Sequence, residues 1–98
     1  MLHIYGQGFW HCDARIIGTR EDLEGLRRQI SIALDAGLAK ADYFPSDGEG
    51  YSVVVVAAEE SQMLALPHQY MDIKLCGGPW TESQQAALYE LCGGEKNI

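Results

Sequence analysis

Residues 19–37, "TREDLEGLRRQISIALDAG", decide the fold that we expect. Thr19 is a preferred N-cap residue, and Asp22 at the third helical position completes an approximate capping box. Gly37 is a plausible C-terminal cap. Between the caps, apolar and small residues recur at helical spacing on one face: Leu23, Leu26, Ile30, Ala33, Leu34 and Gly37. The stretch therefore predicts an amphipathic helix that packs on a sheet.

A β-hairpin is predicted directly after this helix. "KADYF" (40–44) reads as a short strand that ends at Pro45, and "PSDGEG" (45–50) reads as a turn. "YSVVVVAAEE" (51–60) is the strongest strand signal in the chain, because it holds four consecutive valines. Its apolar residues do not alternate, so we expect both of its faces to be covered. The helix covers one face, and the C-terminal part of the chain or a second protein covers the other.

The remaining segments predict shorter elements on either side. "LHIY" (2–5) and "FWHCDARII" (9–17) predict two strands joined by a turn, or one strand broken by a glycine bulge. "SQMLALPH" (61–68) predicts a helical turn, and "YMDIKL" (70–75) predicts a half-buried strand. "TESQQAALYELCGG" (81–94) predicts a second helix that begins with a capping box.

We therefore expect one α+β domain over residues 1–98. Its architecture is a two-layer sandwich, with a mainly antiparallel sheet of four or five strands. One long helix spans about residues 20–36, and a C-terminal helix spans about residues 82–92. A chain of this length is too short to divide into two hydrophobic cores.

The charge balance limits the function classes. Fourteen acids stand against seven Lys and Arg, which gives a net charge of −7. This argues against ordinary binding to the phosphate backbone, which needs clustered cations, and is compatible either with simple solubility or with docking onto a basic partner. No apolar run reaches the roughly 20 residues of a membrane span, and no signal-peptide pattern opens the chain. We expect a cytoplasmic protein.

Motifs for cofactors and metals are missing from the sequence. The three cysteines have no paired spacing and suit reduced thiols, and no zinc-type spacing or phosphate-binding glycine loop occurs. We therefore predict no cofactor and no metal. One alternative of a different class stays open, a small enzyme or metalloprotein that gathers His3, His11, His68 and Cys76 into a pocket.

"FWHCDARI" (9–16) places a histidine, a cysteine and an aspartate side by side. On a strand, neighbouring side chains point to opposite faces, so His11 cannot serve as a base for Cys12. We therefore predict no catalytic residues and no enzyme. The residues on the polar face form a solvated surface or a recognition surface, which we call the N-terminal stripe: Phe9, His11, Asp13 and Arg15.

The predicted hairpin is acidic. Residues 41–60 contain five acids and no Lys or Arg. Acids near exposed aromatic residues suit a basic protein surface, although an ordinary polar hairpin is the alternative. The hairpin adds further partner-binding candidates to the N-terminal stripe: Tyr43, Phe44, Asp47, Glu49 and Tyr51.

"ARIIGTREDLEGLRRQISIAL" (14–34) followed by "FPSDGEGYSVVVVAAEE" (44–60) resembles small immunity proteins of bacterial polymorphic-toxin systems. In that family a strand runs into a G-[ST]-x-x-x-L helix start and then into a hairpin. The resemblance covers about Ala14 to Glu60, and it implies an α+β domain that binds and blocks a cognate toxin stoichiometrically. The chain is also similar in type to phage anti-defence proteins, including anti-CRISPRs.

Together these points predict a small acidic, non-catalytic inhibitor of the immunity or anti-defence type. It would sterically block a basic nucleic-acid-processing effector, such as a nuclease toxin or a CRISPR-type effector, without touching nucleic acid or membrane. Besides the metalloprotein, a third possibility is a structural homodimer, in which a second copy covers the free face of residues 51–58.

Overall fold

The computed structural model describes residues 1–72, 74 and 78–94. Its helices and strands, in chain order, are β1 (Leu2–Tyr5), β2 (Arg15–Gly18), α1 (Arg20–Ala36), β3 (Leu38–Tyr43), β4 (Tyr51–Val56), α2 (Glu60–Met63) and α3 (Glu82–Leu91). Within this described part, β1 pairs with β2 and β3 pairs with β4, which gives two sheets of two strands each. The α+β class is confirmed, whereas the single sheet of four or five strands is wrong.

The chain divides into two compact units. The first unit comprises Met1–His3 and Ile16–Ala58, and the second comprises Ile4–Arg15 and the described residues from Glu59 onward. That residues 1–98 act as a single domain stays a prediction from chain length.

Helix α1 of the first unit begins and ends where its caps predict. The Asp22 backbone N–H donates to Thr19 Oγ1 at 3.4 Å. Gly37 has a φ of 91°, in the left-handed region that glycine adopts without strain, and its N–H donates to Ala33 O at 2.7 Å. The helix predicted over residues 20–36 is confirmed.

The buried face of α1 agrees with the predicted one at Leu26 and Ala33, but it is narrower. Its buried residues are Leu26, Gln29 and Ala33, whereas Leu34 is 71% exposed. The physical reason is the width of the sheet. Two strands about 4.8 Å apart cover only a strip of a helix that is about 10 Å wide, so flanking apolar side chains stay in solvent.

The β3–β4 hairpin is antiparallel, with Ala39 opposite Val55 and Tyr43 opposite Tyr51. Ala39 and Tyr43 are buried, and α1 packs against both strands. Between them along β3, Lys40 and Asp42 are exposed. The second face of the hairpin is therefore partly polar and only partly covered, unlike the fully covered strand that the valine run predicts.

The second unit contains α2 and α3. Helix α3 begins with the predicted capping box, in which the Gln84 N–H donates to Thr81 Oγ1 at 3.2 Å. It ends at Leu91, one residue before the predicted end. Helix α2 is the predicted helical turn. Of the strand predicted over residues 70–75, Tyr70–Asp72 are not in a strand, and Ile73 and Leu75 lie outside the described residues.

The helices offer no candidate for a membrane span. In the part of the chain that the structure describes, none combines the length and the apolar character that crossing a bilayer requires.

Candidate protein-binding surface

The loop between β3 and β4, residues 44–50, is an ordered turn that we call the acidic turn. The Gly48 N–H donates to Pro45 O at 3.1 Å, and the Glu49 N–H donates to Asp47 Oδ1 at 3.0 Å. The side-chain bond is an Asx turn, in which a short carboxylate replaces a backbone acceptor. Asp47 and Glu49 are both exposed. The loop thus carries two carboxylates on a backbone with its own hydrogen bonds.

Three hydrogen bonds hold the two ends of the hairpin loop to the start of β1. The Leu2 N–H donates to Phe44 O at 3.0 Å, and the Ser46 N–H donates to His3 Nε2 at 2.9 Å. The Tyr51 hydroxyl donates to Leu2 O at 2.6 Å. Leu2 itself is 0% exposed. Because Leu2 is locked in the core, the acidic turn is fixed relative to the rest of the first unit.

Phe44 is the exposed aromatic residue of the acidic turn, with 57% of its surface in solvent. Its ring lies against the backbone of Gly50, where an added Cβ would come within 3.0 Å of Phe44 Cε1. Glycine at position 50 therefore gives the ring a flat backbone to rest on. The result is an aromatic side chain that is both supported and exposed.

Tyr43, a predicted binding residue, is buried and lies in a polar network of the core. Its hydroxyl donates to Gln29 Oε1 at 2.9 Å. The Gln29 amide nitrogen donates to Ala39 O at 3.1 Å and to Val53 O at 2.7 Å. Gln29 therefore ties α1 to both strands, and Tyr43 supports the hairpin from inside.

Gln29 did not figure in the prediction, although the sequence holds a signal for it. It stands three residues after Leu26 and four before Ala33, so it shares their face of the helix. A polar residue at such a position has to find partners in the core.

Tyr51, the other predicted tyrosine, is half-buried and bonded to β1. Burial raises the pKa of the Tyr51 phenol above its usual value, and the Asp22 carboxylate and Tyr43 raise it further. The phenol therefore keeps its proton, and its hydrogen bond to Leu2 O, at neutral pH. Of the five hairpin candidates, Phe44, Asp47 and Glu49 form the exposed surface, and the two tyrosines hold it in place.

Arg15 is the one stripe residue on a strand, at the start of β2, so the strand predicted over residues 9–17 is wrong over residues 9–14. Residues 9–11 form a turn that the Cys12 N–H closes on Phe9 O at 3.1 Å, and His11 has a left-handed φ of 64°. The carbonyls of Gln7 and Gly8 accept hydrogen bonds from the N–H groups of Met71 and Asp72, at 2.9 and 2.7 Å. The backbone before the turn therefore bonds to another loop of the second unit.

His11 and Cys12 do not lie on a strand. Strand alternation does not apply to His11 and Cys12, so the absence of a catalytic pair stays a prediction without that support. The four stripe residues, Phe9, His11, Asp13 and Arg15, are all exposed. Arg15 and Asp13 form an exposed ion pair at 3.6 Å, a contact that contributes little in water. The stripe residues are accessible to solvent, but they do not share one face of a strand.

The second unit has an apolar cavity of about 470 Å³, lined by Met63, Leu66, Pro67, His68, Gln69, Tyr70, Trp80 and Leu88. The His68 Nε2 lies 3.0 Å from Gly78 O, and its ring stacks on Tyr70 with the ring centroids 5.8 Å apart. His68 Nδ1 and Trp80 Nε1 are buried without a hydrogen-bond partner. These atoms are closed to water, so the accessible wall of the cavity is mainly apolar.

The three histidines of the metalloprotein alternative do not belong to one unit. His3 belongs to the first unit, His11 and His68 belong to the second, and Cys76 lies outside the described residues. Among the residues that are described, no three His, Cys, Asp or Glu side chains are grouped so that they could hold a metal ion.

The acidic turn, with Phe44, Asp47 and Glu49, combines exposure, charge and internal order. The chain matches no protein-family model, no curated protein and no solved structure.

Proposed function

We propose that this protein is a small, non-catalytic inhibitor that binds a basic protein surface through its acidic turn. The partner class is a nucleic-acid-processing effector, such as a nuclease toxin or a CRISPR-type effector, whose working surface must be basic to hold phosphates. The observation that carries the proposal is the exposed Phe44 ring on the same anchored turn as two exposed carboxylates.

Order in the free protein favours binding by this turn. A loop that is rigid before it meets a partner loses less conformational entropy on association. The acidic turn has internal hydrogen bonds, and three further bonds link Phe44, Ser46 and the adjoining Tyr51 to β1. Its geometry therefore requires little reorganisation to present the Phe44 ring.

The charge of the chain supports the partner class. Residues 41–60 contain no Lys or Arg, and the net charge is −7. Such a surface attracts a basic protein over distance, and an aromatic side chain that enters a pocket supplies short-range affinity. The resemblance to immunity proteins over residues 14–60 includes α1, the acidic turn and β4, which is the part that presents this surface.

The protein would inhibit the effector by occupying the surface that binds nucleic acid. A domain of 98 residues that sits on the phosphate-binding groove of an effector excludes the nucleic acid by its volume and its charge. No bond is made or broken, so the inhibition should be stoichiometric and reversible by salt.

The test begins with affinity capture from the native host, followed by purification of the captured protein. We expect a protein with a basic surface whose activity on nucleic acid is lost at a 1:1 molar ratio, and whose binding weakens as salt is raised. A partner without nucleic-acid activity, or full activity in the saturated complex, would contradict the proposal.

A further inference from the structure

One of the three hydrogen bonds that anchor the acidic turn has a histidine ring as its acceptor. The Ser46 backbone N–H donates to His3 Nε2 at 2.9 Å. Ser46 lies in the acidic turn, and His3 is a half-buried residue of β1 in the same unit. The imidazole is the only kind of side chain whose unperturbed titration falls between about pH 5 and pH 8.

The direction of this bond fixes the protonation state of the ring. A backbone N–H can only donate, so Nε2 must offer a lone pair. Neutral His3 then carries its proton on Nδ1, because one ring nitrogen donates and the other accepts. In the imidazolium form both nitrogens carry protons, and Nε2 would oppose the Ser46 N–H with another N–H. Protonation of His3 is therefore incompatible with this bond.

The two other anchoring bonds do not share this sensitivity. The bond from the Leu2 N–H to Phe44 O joins two backbone groups. The bond from Tyr51 to Leu2 O uses a phenol whose proton is held more tightly than usual. Acidification therefore releases Ser46 from His3, whereas Phe44 and Tyr51 stay bonded to Leu2.

Ionisable groups also lie on the elements next to His3: Asp47 and Glu49 in the turn, Tyr51 at the start of β4, and the Met1 ammonium, which pairs with Asp22 at 2.6 Å. None of them can restore Nε2 as an acceptor once it carries a proton.

We propose that His3 is a pH-sensitive latch for the acidic turn. Neutral His3 holds Ser46 against β1, and protonation releases it. The latch itself is independent of any partner. Its consequence, weaker binding at acidic pH, rests on the proposed function.

The test is NMR on the free, full-length protein from about pH 8 to pH 5. We expect the long-range ¹H–¹⁵N spectrum at the high-pH end to place the proton of His3 on Nδ1. As the His3 ring titrates, the Ser46 amide proton should shift upfield with the same midpoint. Its protection factor should fall about fivefold, the factor expected for one hydrogen bond. Because no partner is present, a failure here is distinct from a failure of the proposed function.

Two variants serve as controls. His3→Phe removes the acceptor, so the Ser46 transition should disappear. His11→Gln removes an exposed histidine of the second unit and should leave it unchanged. A Ser46 transition that persists in His3→Phe would assign it to the carboxylates and overturn the latch. If that variant does not fold, the wild-type spectrum decides, because a proton on Nε2 at the high-pH end, or a Ser46 amide that ignores the His3 titration, also overturns it.

Discussion

The two units differ in whether their buried polar side-chain atoms have hydrogen-bond partners. In the first unit, the Gln29 amide has three hydrogen bonds, to Tyr43, Ala39 and Val53. In the second unit, His68 Nδ1 and Trp80 Nε1 are buried without partners. The buried apolar residues, such as Leu2 and Leu26, also lie in the first unit, whereas α2 and α3 have none.

The difference shows which unit has the arrangement of its helices and strands fixed by buried hydrogen bonds. A fully bonded polar group in a core fixes one arrangement of the elements around it, because every alternative leaves an atom unpaired. Gln29 sets the position of α1 on both strands in this way, and the acidic turn is the loop between those strands. The acidic turn can therefore be a rigid binding surface, because buried hydrogen bonds fix the strands on either side of it.

Gln29→Ala should have the largest effect on stability. The change removes all three hydrogen bonds of the Gln29 amide and takes the Tyr43 hydroxyl's acceptor out of the core, and we expect the free energy of unfolding to fall by about 3 kcal/mol. Urea denaturation measures it. Ser31→Ala, at an exposed site of the same helix, should change it by less than about 0.5 kcal/mol. A loss for Gln29→Ala as small as that of the control would remove the network from the account.

Tyr51→Phe should have an intermediate effect that depends on pH. At neutral pH the variant loses one hydrogen bond, to Leu2 O, and we expect a loss of about 1 kcal/mol. The pKa of Tyr51 is raised in the folded state, so its contribution is present below the usual tyrosine pKa of about 10 and is lost as pH rises through the folded value.

The measurement for Tyr51 is the free energy of unfolding from about pH 8 to pH 11. Wild type should lose more stability than Tyr51→Phe over the alkaline part of this range, so the two curves should converge. Parallel curves would show that the Tyr51 phenol titrates alike in the folded and unfolded states.

Trp80→Phe should have the smallest effect. The change removes apolar area from the cavity wall but also removes a buried N–H that has no partner. These effects oppose each other, and we expect a net change within about 1 kcal/mol. Thermal unfolding followed by circular dichroism would measure it. A loss of about 3 kcal/mol is typical of truncating a fully packed aromatic side chain. Such a loss would show that Trp80 is packed as tightly as the core of the first unit.

The elements that the sequence predicts correctly are those with local signals. Thr19 and Gly37 fix the ends of α1, Thr81 and Gln84 fix the start of α3, and the valines of β4 favour a strand. Caps and β-branched runs act over a few residues, so they can be recognised without knowledge of the tertiary structure.

The incorrect predictions depend on partners that are distant in sequence. Residues 9–17 alternate like a strand, but only residues 15–17 form one; the carbonyls of Gln7 and Gly8 accept bonds from residues 71 and 72, and residues 9–11 form a turn. From the sequence, Tyr43 resembles an exposed aromatic anchor, but in the structure its hydroxyl donates a hydrogen bond to Gln29 in the core. Within the candidate surface, composition indicated the acidic turn, but only tertiary contacts separate exposed Phe44 from buried Tyr43.

The most direct test of the central claim is the affinity of the purified partner for two triple variants of equal charge. Phe44→Ala with Asp47→Asn and Glu49→Gln removes the exposed groups of the acidic turn. The control, Leu64→Ala with Asp35→Asn and Glu90→Gln, makes the same kinds of change at exposed sites elsewhere. Calorimetry should show binding at least about thirtyfold weaker for the turn variant and within about threefold of wild type for the control. Equal affinities of the two variants would contradict the account.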